Sequence, residues 1–363
     1  MEYIMRKWKK LVNKMKINIY GKTMSQLADL MVNEGQKPFR AKQIFKWIYE
    51  KEATTFDEMS DISIKFRDVL NAKYCLEKPS VYIRQDSSDG TMKLLLEMKD
   101  GARVETVLMR YNYGNVVCVS SQVGCNMGCS FCASGLLKKQ RDLTSEEMVG
   151  EILVVNDLLK AEGKGERVTH IVVMGTGEPF DNYDNVISFV RIVNDQNALA
   201  IGARHITVST CGIPSKIRAY GKEGLQVNLA ISLHASNDEL RSKLMPINKA
   251  YPLKELIDSI IDYIKSAGRR VTYEYILIKD VNDSIEHADE LTRLIKPTFA
   301  YVNLIPYNQV TENGYERASN DRVRAFFDRL NKNGVNVTIR KEFGSDIDAA
   351  CGQLRAKNEG IIK

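Results

Sequence analysis

The chain of 363 residues is long enough to bury a substantial core, and its 44% hydrophobic and 27% charged residues are ordinary for a globular protein. No apolar run approaches the roughly 18 residues that a membrane-spanning helix needs, and the basic, amphipathic N-terminus lacks the apolar core of a secretory signal peptide. These features argue against an integral membrane protein and a secreted protein, so we expect a cytoplasmic protein.

The first predicted segment is a basic arm over residues 1–22. It contains seven Lys and Arg against one acid, Glu2, and so accounts for the whole net charge of +6. Such an arm is suited to a polyanion such as RNA, and it is equally consistent with a solvated, frayed extension. Apolar residues at helical spacing between Ile4 and Met15 leave open that the arm docks on a surface.

Residues 23–110 are predicted to form a small mixed accessory domain. Helical patterns come first, and short apolar runs from residue 80 onward then predict strands and hairpins, with a turn at Asp89-Gly90. This segment carries no catalytic motif of its own. The helices are predicted at 24–34, 38–51 and 62–73.

Residues 111–363 alternate between apolar runs and longer helical patterns, which predicts an α/β fold with a parallel sheet. Six such repeats and a final strand approach an eight-fold barrel without completing it, so we expect an open or partial (β/α)6-type barrel. The strands are predicted at 116–120, 168–174, 205–210, 226–233, 271–278, 300–305 and 335–340. The helices are predicted at 144–161, 184–196, 214–222, 252–267, 284–296 and 318–333.

Polar and glycine-rich motifs follow the ends of these strands. In parallel α/β folds ligands bind at the carboxyl ends of the strands, so the motifs are expected to share one face. They are Cys125 after the first strand, Gly175 to Pro179 after the second, Ser209 at the end of the third, Ser232 to His234 closing the fourth, and Pro306 to Asn308 after the sixth.

Cys125, Cys129 and Cys132 place three thiols within eight residues, on a loop that contains Gly124 and Gly128. A structural zinc ion normally has four protein ligands, and an ordinary [4Fe–4S] cluster has four cysteines. Three cysteines leave one iron of a cluster open to an exogenous ligand, such as the amino and carboxylate groups of S-adenosylmethionine (SAM). A zinc-bound or simply buried set of thiols is the alternative.

Nearly the whole chain resembles one branch of the radical SAM superfamily. The C-x3-C-x2-C spacing resembles the superfamily as a whole. The other motifs resemble, in family order, the dual-specificity ribosomal and transfer RNA adenine-C2 methyltransferases and their antibiotic-resistance relatives that methylate adenine C8. The matching stretches are 39–47, 104–107, 118–135, 175–179, 232–235, 303–308 and 346–354.

The resemblance implies a radical SAM partial barrel with a [4Fe–4S] cluster on Cys125, Cys129 and Cys132 and with SAM as the second cofactor. It also implies 23S rRNA and tRNA as substrates, a low-potential reductase or flavodoxin-type electron donor, and a monomer that does not bind membranes. The SAM contacts that it implies are Gly177, Glu178, Pro179, Ser209, Ser232, Leu233, His234 and Asn308.

Three further residues receive catalytic roles from the resemblance. Cys351 resembles the cysteine that one SAM methylates, and a second SAM then generates the radical that activates this methyl group. Cys118 resembles the cysteine that releases the product through a transient disulfide with Cys351, and Glu105 resembles the proposed acid/base residue. Taken alone, Cys118 and His234 are more typical of packed core residues and Glu105 of a solvated acid, and Cys351 is equally typical of a packing position.

The position of methylation is less specific. Pro179 after Glu178 resembles the C2 enzymes, whereas Phe343-Gly344 leans toward the C8 enzymes, and we expect C2. The alternatives are a C8 methyltransferase, a radical SAM enzyme acting on another substrate, and a non-catalytic metal-containing RNA-binding protein. Seven cysteines in a cytosolic chain argue against a disulfide framework, and Cys75 and Cys211 are expected to be structural.

Overall fold

The computed structural model describes residues 16–298, 300–344, 346–347 and 352–361. Residues 1–15 of the predicted basic arm and Cys351 therefore lie outside the described residues. No helix in the described ranges is both long and apolar enough to cross a membrane.

The N-terminal part of the chain folds as a small helical unit. Helix α1 begins at a capping box. The Thr23 side chain accepts a hydrogen bond from the Gln26 N–H, and the Gln26 side chain accepts one from the Thr23 N–H. The three helices predicted here are confirmed, and a π-helical turn extends the second one through Glu50. The elements are strand β1 (Ile17–Asn18), helices α1 (Met24–Asn33), α2 (Phe39–Phe45) and α3 (Ile64–Lys73), and strand β2 (Tyr74–Cys75), which pairs with β1.

An antiparallel meander connects this unit to the rest of the chain. It consists of strands β3 (Ser80–Asp86), β4 (Met92–Glu97) and β5 (Arg103–Tyr111). The predicted turn at Asp89-Gly90 is confirmed, because Gly90 has φ +84° and its N–H donates to the Ser87 carbonyl. Strand β5 pairs with the first barrel strand, so one sheet crosses the boundary predicted at residue 110. The division into an arm, an accessory domain and a barrel stays a prediction.

The predicted parallel strands are confirmed. Seven of them, β6 and β9 to β14, extend the meander into one ten-stranded sheet in the order β14-β13-β12-β11-β10-β9-β6-β5-β4-β3. They are β6 (Gly114–Val119), β9 (Val168–Val173), β10 (Ile206–Thr210), β11 (Asn228–Ser232), β12 (Val271–Leu277), β13 (Ala300–Pro306) and β14 (Asn336–Ile339). Two short strands, β7 (Gln122–Val123) and β8 (Arg141–Asp142), pair separately.

Six predicted helices connect the barrel strands, and two short helices were not predicted. Helix α8 illustrates the pattern, because Leu253, Leu256, Ile257 and Ile260 all lie on its buried face and Gly268 ends it with a left-handed φ. The predicted helices are α4 (Ser145–Ala161), α5 (Tyr183–Asn194), α6 (Pro214–Tyr220), α8 (Leu253–Ala267), α9 (Ile285–Ile295) and α10 (Asn320–Lys332). The others are α7 (Asp238–Leu244) and α11 (Gln353–Asn358).

The sheet curves around a cavity. Residues from strands β5, β6 and β9 to β13, with the segment after β14, line one cavity of ≈ 350 Å³. Eight flat strands would span about 34 Å at their usual spacing, which is too wide for all of them to reach one cavity of this size. The partial barrel predicted from the sequence is therefore confirmed.

Candidate active site

The three-cysteine loop follows strand β7 and is closed by its own backbone. The Cys125 N–H donates to the Leu137 carbonyl at 2.8 Å, and the Cys132 N–H donates to the Cys129 carbonyl at 3.2 Å. Gly124 has φ +82°, and a Cβ there would lie 2.1 Å from the Lys138 carbonyl oxygen. The position therefore requires glycine.

The same loop is anchored to the barrel at its middle. The Ser130 N–H donates to the Leu244 carbonyl at 2.9 Å, and the Tyr307 hydroxyl donates to the Phe131 carbonyl at 3.3 Å. Leu244 is the last residue of the unpredicted helix α7, so this short helix holds the loop in position through its final carbonyl group. A second link is the pair of Ser130 and Tyr315 hydroxyls, 3.0 Å apart.

The cavity brings together most of the residues that the sequence singled out. The three cysteines of the loop lie in its wall, as do Cys118 and Glu105. Leu233 is buried in the core and does not line the cavity. The predicted SAM-contact residues that do line it are Gly177, Glu178, Pro179, Ser209, Ser232, His234 and Asn308.

The three thiols of the loop are a donor set that fits an iron–sulfur cluster. Burial raises the pKa of Cys125 to about 11 and also raises the pKa values of Cys129 and Cys132, and neighbouring thiols further raise the pKa values of Cys125 and Cys129. Bound iron would hold such thiols as thiolates. Among the described residues no three His, Cys, Asp or Glu side chains are placed to share one metal ion. Three cysteine thiols on one loop are the donor set of a [4Fe–4S] cluster that keeps one iron open, so the chemistry of the loop fits such a cluster.

Glu178 is a buried carboxylate at the carboxyl end of β9. It accepts hydrogen bonds from the Phe180 N–H at 2.9 Å, the Thr210 hydroxyl at 2.6 Å and the Cys211 N–H at 2.7 Å. Burial raises its pKa, and these donors oppose the shift. The donors fix the carboxylate at the cavity wall, where it can accept a hydrogen bond from a ligand ammonium group.

The close approach of the Glu178 loop to strand β7 depends on Gly177. This residue has φ +114°, and a Cβ there would lie 2.7 Å from the backbone nitrogen of Gln122. The Gln122 side chain in turn accepts a hydrogen bond from the Glu178 N–H at 2.9 Å. Substitution of Gly177 would therefore displace the carboxylate from the cavity.

His234 is both a core residue and a cavity residue. Its Nδ1 accepts a hydrogen bond from the Ile276 N–H at 3.1 Å, so the neutral ring carries its proton on Nε2. Burial, with a smaller effect of the charge of Arg241, lowers its pKa to about 3. The ring packs edge-on against Phe131 of the cysteine loop, with centroids 4.9 Å apart. A neutral N–H donor is thus held at the wall of the cavity.

Cys118 faces the cavity from the end of β6 as a free thiol. Burial raises its pKa to about 11, although the charge of Arg340 favours the thiolate. Cys118 is a free thiol and Cys351 lies outside the described residues, so the structure does not support a disulfide in the resting protein, and the transient disulfide with Cys351 stays a prediction.

Glu105 is fully engaged within the protein and is not solvated. Its carboxylate accepts hydrogen bonds from the backbone N–H groups of Gly352 at 2.6 Å and Arg355 at 2.7 Å, which are the free donors at the start of helix α11. It also pairs with the buried Lys93 ammonium group at 3.0 Å. Glu105 therefore anchors the segment that directly follows Cys351, and its predicted acid/base role stays a prediction.

Lys93 and Arg241 are buried basic residues near the cavity that were not predicted. Lys93 lies in the apolar stretch of β4, where its interruption of the apolar run was the only signal. Arg241 of α7 is completely buried and donates to the carbonyls of Leu233 and Cys211. Both residues stabilise the walls of the cavity through partners that are distant in sequence.

Family models match two parts of the chain. Residues 17–76 match the model described as the ribosomal RNA large subunit methyltransferase N-terminal domain, and residues 119–292 match the radical SAM superfamily model. The first match covers the small helical unit, and the second covers most of the parallel strands that surround the cavity.

Similar proteins match over almost the full length. Proteins from Streptococcus pyogenes serotypes M2 and M5, each named probable dual-specificity RNA methyltransferase RlmN, are 54% identical over 346 residues, which is 94% of this chain and 96% of theirs. The crystal structure of a radical SAM methyltransferase from Sphaerobacter thermophilus is also similar. It has a TM-score of 0.87 and 41% identity, and it covers 93% of this chain and 98% of that one.

Proposed function

Because the chain belongs to the RlmN family of dual-specificity RNA methyltransferases, within the radical SAM superfamily, we propose that it methylates C2 of one adenine in 23S rRNA and in tRNA. As a member of this family it is an RNA methyltransferase that uses a [4Fe–4S] cluster and SAM. The observation that carries the proposal is the shared cavity, which is lined by Cys118, Glu105, Glu178 and the three-cysteine loop.

The cavity residues support specific roles in holding the cofactors. Cys125, Cys129 and Cys132 would hold the cluster, which together with SAM supplies a carbon radical capable of activating a methyl group. Glu178 accepts a hydrogen bond from the ammonium group of SAM, because its carboxylate is buried and fixed by three donors. Ser209 and Ser232, whose hydroxyls lie 3.3 Å apart on adjacent strands, bind ribose hydroxyls. Gly177, Pro179, His234 and Asn308 complete the SAM site.

Cys351 and Cys118 carry the methyl group and release the product in this proposal. RNA joined through a methylene carbon to the Cys351 sulfur is attacked at sulfur by the Cys118 thiolate. A sulfur–sulfur bond forms, the carbon–sulfur bond breaks with its electrons on carbon, and a proton completes the methyl group. A reductant then restores both thiols. Because the pKa of Cys118 is raised to about 11, the thiol must lose its proton within the cavity, where Arg340 favours the thiolate.

We further propose a low-potential reductase or flavodoxin-type protein as the electron donor, a monomeric state, and a cytoplasmic location, where both RNA substrates are present. Size-exclusion chromatography with light scattering tests the oligomeric state. Reduction by purified flavodoxin and its reductase, compared with dithionite, tests the electron donor.

The function is tested with anaerobic, reconstituted enzyme, SAM, a reductant and unmodified rRNA or tRNA. Mass spectrometry of the digested RNA should find 2-methyladenosine. Finding 8-methyladenosine would replace the C2 proposal with the C8 alternative, and finding no methylated adenosine would contradict both.

The cysteine roles are tested with two variants in the same assay. Cys118→Ala should accumulate RNA covalently attached to the protein, because no thiol releases the adduct, whereas Cys351→Ala should form no adduct. Cys75→Ala is the matched control, since Cys75 is a buried residue of β2 in the N-terminal unit and does not line the cavity. Normal turnover by Cys118→Ala would show that Cys118 is a core residue.

A further inference from the structure

Five aromatic side chains form an unbroken row at the amino end of the barrel sheet. Successive ring centroids lie 4.5 Å, 4.7 Å, 5.1 Å and 4.1 Å apart. The second and fourth pairs are stacked, and the first and third are inclined. We name this set the aromatic row, and its members in order are Phe343, Tyr111, Tyr113, His170 and His205.

The strand register explains how residues from distant parts of the sequence meet here. Tyr111 ends β5 and pairs with Gly114 across a tight hairpin whose turn contains Tyr113. His170 pairs with Val116 near the start of β9, and the pairing of Ile171 with Ile206 brings His205 beside His170. The row therefore crosses the amino ends of three parallel strands, at the opposite end from the three-cysteine loop.

The row begins at the cavity and ends in solvent. Phe343 lines the cavity, and so does Met109, which lies on the same face of β5 as Tyr111. At its other end His205 is exposed, and Tyr113 in the middle of the row is 63% exposed. A row of rings thus leads from the proposed reaction site to the surface.

Basic side chains flank the aromatic row. The Lys341 ammonium group lies 4.9 Å from the centroid of the Phe343 ring, and Arg204 directly precedes His205. Neither forms an ion pair with a carboxylate in the described part of the chain. Arg340 lines the cavity, and its charge acts on Tyr111. Rings and cations in this arrangement match the bases and phosphates of a nucleic acid strand.

We propose that the aromatic row is the surface on which unpaired bases next to the target adenine stack while that adenine occupies the cavity. This inference rests on the proposed function and assigns it an RNA-binding surface. Single-stranded RNA fits better than duplex RNA, because only unpaired bases expose their faces to protein rings. Stacking is also tolerant of sequence, as an enzyme acting on two different RNAs requires.

The test compares substitutions of Tyr113 in the full-length, reconstituted enzyme. Fluorescence anisotropy measures binding of a short single-stranded RNA with one central adenine. Tyr113→Leu keeps apolar bulk but removes the ring face, and it should weaken binding about 5- to 150-fold, the range for loss of one stacked base. Tyr113→Phe should bind like the wild type. Tyr82→Leu is the matched control, because Tyr82 is an exposed tyrosine on the distant edge strand β3.

Several results would overturn the proposal. One is an RNA affinity that is unchanged in both Tyr113→Leu and His205→Leu. Another is a loss of RNA affinity that is equal in Tyr113→Leu and Tyr113→Phe. The third is a loss of affinity in Tyr113→Leu that is as large for a fully paired duplex as for single-stranded RNA. In each case, continued methylation by the wild type would leave the proposed function intact. Weakened binding by Tyr113→Leu alone, with no methylation by the wild type, would support the row and contradict the proposed function.

Discussion

His234 shows how one residue meets structural and functional demands together. It has a left-handed φ of +57°, which is uncommon for a residue other than glycine. Its backbone carbonyl accepts a hydrogen bond from Asn282 at 2.9 Å, while its Nδ1 accepts from the Ile276 N–H. These bonds hold the strained residue in place and present one ring edge to the cavity. The two interpretations of His234, core residue and cofactor contact, are compatible.

The lowered pKa of His234 predicts acid sensitivity. The unfolded chain binds a proton near the ordinary histidine pKa of about 6.5, whereas the folded ring stays neutral until about pH 3. The free energy of unfolding should therefore fall as pH drops below about 6.5, by about 2 kcal/mol between pH 7.5 and 5 from this residue. Urea unfolding at both pH values measures it. His234→Gln should lose less stability than the wild type over that interval, and an equal loss would contradict the assignment.

At the scale of single elements, Glu105 and helix α11 form the most consequential contact. Gly352 and Glu105 are 247 positions apart in sequence, yet the backbone N–H groups at the start of helix α11 donate hydrogen bonds to the Glu105 carboxylate. The sequence pattern around Glu105 predicted that the residue matters, and nothing local predicted this partner. Glu105 acts here by positioning the segment next to Cys351.

Glu105→Gln should therefore loosen helix α11 and destabilise the fold. The amide keeps one acceptor but leaves the buried Lys93 ammonium group without its paired charge, at a cost of about 3–5 kcal/mol. Hydrogen exchange at residues 352–358 and urea unfolding measure the two effects. The double variant Lys93→Met with Glu105→Gln should recover most of the stability, because no buried charge remains unpaired. Unchanged exchange in Glu105→Gln would contradict the anchoring role.

Which elements were predictable follows from their length and pattern. Helix α8 spans 15 residues and has a continuous apolar face, so its periodicity indicated it directly. Helix α7 has seven residues, DELRSKL, of which only the two leucines are apolar, and its buried Arg241 satisfies distant carbonyls. Long-range partners of this kind leave no local signal. The three-cysteine loop was predictable because three cysteines within eight residues are themselves the ligands that a cluster needs, so no long-range partner had to be found.

At the scale of the whole molecule, the strands separate two kinds of chemistry. The carboxyl ends of the parallel strands carry Glu178, Ser209, Ser232 and the three-cysteine loop, as the sequence motifs predicted. The amino ends carry the aromatic row, which was not predicted, because its members come from four separate segments. The pairing of the strands brings four of those rings together, and Phe343 joins them from the segment after β14.

The basic arm adds a test at the scale of the whole chain. Deletion of residues 1–16 removes six Lys and Arg and the single acid Glu2. If the arm binds phosphates, RNA affinity should fall, and the slope of log K against log salt should flatten by about 0.7 for each single-strand phosphate that the arm neutralises. Titrations at several salt concentrations measure this slope. A variant with the same residues changed to glutamine controls for chain length, and an unchanged slope would identify the arm as a solvated extension.

Strand β5 sets a fixed distance between Glu105 and the aromatic row. Glu105, which anchors the segment after Cys351, and Tyr111, in the aromatic row, lie six residues apart on one extended strand. At about 3.4 Å per residue they are separated by about 20 Å. Since β5 is hydrogen-bonded on both sides, this length cannot adjust to the RNA. In the proposed binding mode, ribosomal and transfer RNA must therefore both span this fixed distance between the nucleotide held beside the segment after Cys351 and the bases stacked on the aromatic row.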